Sequence, residues 1–95
     1  MMKCGGWNYA DMPACSLPQD AATAFEKATK GFCGSGFVPV LFVGTQLVSG
    51  TNYCIVCKST LTTNPPIVGC KTLFIYEDLK GNCSITKIDD IIDYD

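Results

Sequence analysis

Two runs of β-forming residues, Phe37-Val38-Pro39-Val40-Leu41-Phe42-Val43 and Tyr53-Cys54-Ile55-Val56-Cys57, flank the short stretch from Gln46 to Asn52. β-branched and aromatic side chains suit a pleated, half-buried surface, so this arrangement predicts a β-hairpin with its tip between the two runs. Gly44 and Gly50 punctuate the connection. Gly50 accepts a positive φ at little cost, and with Asn52 it permits a tight reversal. Leu47 and Val48 then fall at or beside the turn. Either they fold back onto the sheet as core, or they form an apolar wedge meant for a partner.

The 95 residues suit one domain over 1–95, large enough for a single core and too small for two. Pro39, Gly44, Gln46, Gly50 and Asn52 interrupt the apolar centre, so no stretch approaches the roughly 18 apolar residues of a spanning helix; a soluble chain without membrane contact is expected. The net charge is −2, with seven lysines, no arginine and no basic cluster. Nucleic acid is not an expected partner, because binding a phosphate backbone draws on concentrated Lys and Arg.

Seven cysteines and no histidine require an account. The start of the chain lacks a charged segment followed by an apolar one, so no secretory signal is visible and the cytoplasm, with reduced thiols, is the expected compartment. A signal removed beforehand is the alternative, and the odd count leaves at least one thiol free in either case. Cys54 and Cys57 have Cys-x-x-Cys spacing, yet residues three apart in a strand point to opposite faces. Their sulfurs diverge, which disfavours a disulfide or a zinc clamp and favours small buried hydrophobes. A redox motif of this spacing also wants a helix N-terminus, whereas Lys58 to Thr62 continues as strand.

Upstream, Gly5-Gly6 makes a loose approach to Trp7, and Trp7, Tyr9 and Met12 predict a short extended piece. Ser16-Leu17-Pro18-Gln19 predicts a helix start, with Ser16 as N-cap, Pro18 in the first turn and Gln19 as capping-box partner. Leu17, Ala21, Ala24, Phe25, Ala28 and Phe32 recur at helical spacing, and Gly31 or Gly34 ends the helix. An alanine-rich face of this kind lies close against a sheet. Downstream, the Pro65-Pro66 pair within 62–66 forbids ladder bonds and marks a connection. Gly69 to Tyr76 reads as a strand with Cys70, Thr72, Phe74 and Tyr76 on one side. Glu77 to Asn82 makes a second tight turn, and Cys83 to Ile88 alternates as a last strand. The tail from Asp89 to Asp95 carries four acids and reads as a solvated end.

A short strand, one helix and four further strands predict an α+β fold, an antiparallel β-sheet wrapped around one α-helix, because each supplies the other with an apolar face. Nothing in the sequence points to catalysis: it has no histidine, no nucleophile with an evident base, and its Asp89-Asp90 pair lies in the tail. No cofactor or metal is expected.

Gln46-Leu47-Val48-Ser49-Gly50 has the Gln-x-Val-x-Gly form of the first inhibitory hairpin of the cystatins, and Thr51-Asn52-Tyr53 continues it as in stefin-type members. The start, Met1-Met2-Lys3-Cys4-Gly5-Gly6, is similar to that of some stefins with one position added or shifted. The resemblance covers nearly the whole chain, from glycine trunk through helix to second hairpin. It implies a cystatin-like domain that reversibly inhibits papain-like cysteine proteases by blocking the active-site cleft, with Gly5, Gly6, Gln46, Leu47, Val48, Ser49, Gly50 and Leu79 in the contact surface. It also implies a monomer, with a domain-swapped dimer as the alternative. Many cystatins carry a Pro-Trp pair in the second hairpin, whereas Leu79 is the one apolar side chain here, which implies a weaker contact. The rival expectation is a non-inhibitory binding or structural module on the same fold. Under the inhibitor reading, a β-branched residue at Gly50 is expected to weaken protease binding more than folding.

Overall fold

Helix α1 spans Gln19–Thr29, and its start departs from the sequence expectation. Pro18, with φ −54° and ψ 152°, is the N-cap, and among the described residues no side-chain cap bond is made there. The proline explains the shift: a residue before proline is sterically biased away from the helical region, so Leu17 does not open a helix with Ser16 as its cap. The Gln19 amide instead donates to Thr23 Oγ1 one turn on, at 3.2 Å, and Ala22 N donates to the Pro18 carbonyl at 2.8 Å. Asp20 in the first turn and Lys27 in the last suit the helix dipole.

The computed structural model describes residues 9–31 and 35–91. Gly5, Gly6 and Trp7 lie outside them, as do Phe32 and Gly34. Residues 9–12 are not strand, so among the described residues the expected first strand is not found. The architecture is α1 followed by β1 (Ser35–Val48), β2 (Gly50–Leu61), β3 (Ile67–Glu77) and β4 (Cys83–Asp90). All neighbours pair antiparallel in the order β1-β2-β3-β4. The described residues are therefore α+β, a four-stranded antiparallel sheet with one helix.

β2 shows how the sequence sets the faces. Tyr53, Ile55, Cys57 and Ser59 are buried, and the residues between them are half-buried. With Leu73 and Ile75 of β3 and with Ala21 and Ala24 of α1, the apolar members form one core. The two alanines let α1 lie close to the sheet, where it packs on β3 and β4, while Phe25, Phe37 and Phe42 fill its margins. Register shifts at 39–41 and 42–44 bend β1, and its proline sits on an edge strand, where a missing amide donor is tolerated. The Pro39 carbonyl accepts from Cys15 N at 2.9 Å, which pins the segment before α1 to that edge.

The same alternation separates Cys54 from Cys57. Cys57 is fully buried on the core side, Cys54 is half-buried on the other, and both are free thiols. Burial, with smaller contributions from Cys15 and Cys70, pushes the Cys57 thiol up to about 12, so it stays protonated and inert. Non-reducing digestion with mass spectrometry is expected to find no Cys54–Cys57 bridge, and alkylation near neutral pH to spare Cys57 until the chain unfolds. A bridged peptide, or fast labelling of Cys57 in the native chain, would contradict the strand geometry.

Candidate protein-docking edge

The antiparallel meander puts the β1–β2 and β3–β4 connections at the same end of the sheet. β1, with 14 residues, is the longest strand leading to them.

At the first tip Val48 pairs with Gly50, so Ser49 alone stands outside the ladder. Gly50 adopts φ +111°, the left-handed side that favours glycine. Below the tip Asn52 Nδ2 donates to Gln46 Oε1 at 3.0 Å, a cross-strand bond that ties the two strands together. Leu47 is 85% exposed and Val48 is 47% exposed, so both stand in solvent and neither folds back as core.

At the second tip the Asp78 carboxylate accepts from the Lys80 and Asn82 amides, each at 2.9 Å, and from Asn82 Nδ2 at 3.1 Å. Those bonds, led by the Asn82 amide, hold its carboxyl below the usual range. Gly81 takes φ +88°, and its carbonyl accepts from Lys27 Nζ at 3.1 Å, joining the turn to the last turn of α1. Within this ordered turn Leu79 is 81% exposed.

The β2–β3 register aligns Thr51 with Glu77, which brings the two tips side by side. Between them lies a depression of about 470 Å³, walled by Leu47, Val48 and Leu79 and closed on the helix side by Asp20 and Thr23. Tyr53, 4% exposed, forms part of its lining, and its hydroxyl donates to Glu77 Oε1 at 2.9 Å. Burial first, and the Glu77 carboxylate second, push that phenol up to about 12. A separate depression of about 370 Å³ between α1 and β1 involves Cys15, Leu17 and Phe25 and none of the tip residues.

The structure thus brings Gln46, Leu47, Val48, Ser49, Gly50 and Leu79 to one edge, whereas Gly5 and Gly6 fall outside the described residues. Gly50 differs from the other tip residues in being buried. A Cβ there would come within 2.8 Å of the Tyr76 hydroxyl and 2.9 Å of Tyr76 Cε1, and closer still to the Glu77 carbonyl. A β-branched residue at Gly50 therefore burdens the fold as well as any contact surface, because the space it would occupy is filled by this chain's own β3. Sequence reasoning also missed Asp20, Thr23, Tyr53 and Glu77 as parts of the edge. The outward and inward alternation along β3 was the available signal, but it becomes informative only once the β2–β3 register is known.

Two exposed leucines, Leu47 at the end of β1 and Leu79 in a turn, stand on tips held by internal hydrogen bonds and offer an ordered apolar surface. Comparison of the chain with protein-family models, curated proteins and solved structures finds no match.

Proposed function

We propose that the chain is a reversible protein inhibitor of papain-like cysteine proteases, of the cystatin type. It would occupy the active-site cleft with Leu47 and Val48 at the first tip, Leu79 at the second, and the Gly5-Gly6 segment alongside. The observation that carries this reading is the side-by-side exposure of Leu47 and Leu79 at one end of the sheet, with the Gln-x-Val-x-Gly motif occupying the first tip. Apolar side chains in such exposure gain when a partner removes them from water, about 1.5–3 kcal/mol for each one fully buried. Blocking a cleft in this way asks for no reacting group on the inhibitor. Five free cysteines among the described residues fit a reducing compartment, and we place the protein in the cytoplasm.

A non-inhibitory binding module on the same fold is the second reading, favoured by one feature: the second tip offers a single leucine beside Asp78 and Lys80. Titrating papain with the purified chain separates the two. Inhibition is expected to rise with the chain's concentration and to reverse on dilution. Papain that keeps full activity in a large molar excess of the chain would remove the inhibitor reading and leave the binding module.

A further inference from the structure

The first tip overhangs its support. The last β2–β3 pair is Thr51 with Glu77 and Gly50 is packed against Tyr76 and Glu77, so Ser49 is the residue that projects beyond the third strand. An apex residue outside the ladder needs a hold of another kind for its backbone carbonyl. That hold comes from Tyr76, which pairs with Asn52 across the β2–β3 ladder and whose hydroxyl donates to the Ser49 carbonyl at the apex. Gly50 leaves the space through which the phenol reaches, since a Cβ there would meet both the ring and the hydroxyl. The bond is the tip's link to β3 at its outermost residue, and it acts on the peptide carbonyl between the arms of the hairpin.

We propose that Tyr76 is a positioning residue: its hydroxyl, by holding the Ser49 carbonyl, fixes the direction in which Leu47 and Val48 are presented to a partner. The proposal deepens the docking reading above and rests on it. Phenylalanine at this place would fill the same space and hold nothing. Loss of the bond leaves the sheet and core as they are, because Tyr76 points away from Ile55, Leu73 and Ile75, and frees only the overhang. Every partner contact made by the tip then carries the added cost of ordering it.

The test compares Tyr76→Phe with wild type and with Thr86→Ala, which deletes a side-chain bond of the same kind, from Thr86 Oγ1 to the Phe74 carbonyl, away from the tips. Amide exchange over residues 46–52 is expected to quicken about two- to tenfold in Tyr76→Phe and not in Thr86→Ala, with both thermal midpoints close to wild type. Dissociation from papain is expected to quicken by a similar factor in Tyr76→Phe alone. Unchanged exchange at the tip overturns the tether whatever papain does. Faster exchange with an unchanged dissociation rate overturns the positioning role. If wild type itself fails to bind papain, it is the inhibitor reading that falls, and the exchange comparison decides the tether by itself.

Discussion

Gly50→Val is expected to lower the thermal midpoint by more than about 10 °C, as read by the loss of circular dichroism on heating. Two separate costs combine. A valine held at φ +111° carries backbone strain on the order of 1–3 kcal/mol, because the left-handed region is least tolerant of β-branched side chains. Its Cβ must also displace the Tyr76 phenol and press on the Glu77 carbonyl, an overpacking worth roughly 1–3 kcal/mol. For a domain of this size each kcal/mol shifts the midpoint by about 4–8 °C. Gly50→Ala is expected to lie between valine and wild type, since it brings the clash with a smaller backbone penalty. A midpoint within a few degrees of wild type in both variants would mean that the tip refolds freely around a side chain, and that Gly50 is not held by its neighbours as described.

The opposite pattern is expected of the combined replacement Leu47→Ala and Leu79→Ala. Both side chains stand in water in the free protein, at 85% and 81% exposure, so their removal takes almost nothing from the core and the thermal midpoint should move by less than about 3 °C. Affinity for papain should fall roughly 30- to 1,000-fold, because each truncation forfeits on the order of 1–2 kcal/mol of apolar transfer at the two points where the edge is most prominent. The inhibition constant and the melting curve measured on the same preparation decide the matter. A destabilisation of about 2–5 kcal/mol would identify the leucines as core residues, and an unchanged inhibition constant would move the contact surface elsewhere. Together with Gly50→Val, this pair separates building the tip from using it.

The first hairpin could be read from residues because its signals are local: two β-rich arms, a glycine at the reversal and polar residues around the turn. The core face of β2 was legible for a similar reason, since alternation alone sends Cys54 and Cys57 to opposite sides. The helix start was misplaced because Ser16 and Gln19 matched a capping pattern while the bias that Pro18 imposes on Leu17 worked against it. What the sequence left open was the arrangement across strands. Period-two alternation is equally satisfied by registers differing by two residues, so it could not say that Tyr76 lies opposite Asn52 or that Glu77 lies under Gly50. Asp20 and Thr23 joined the edge through the docking of α1, which no local pattern encodes.

The uninterrupted strand order has a kinetic meaning as well. Each strand pairs only with its neighbour in sequence, across connections of a few residues, so both hairpins close small loops, whose entropy cost is modest. They can zip independently from their turns and then join along β2 and β3 across the short 62–66 connection. The costly closure belongs to α1, which must reach past β1 and β2 in sequence to pack on β3 and β4. Ala21 and Ala24 sit at that long-range contact, while the tips and the ladder beneath them depend on the short closures.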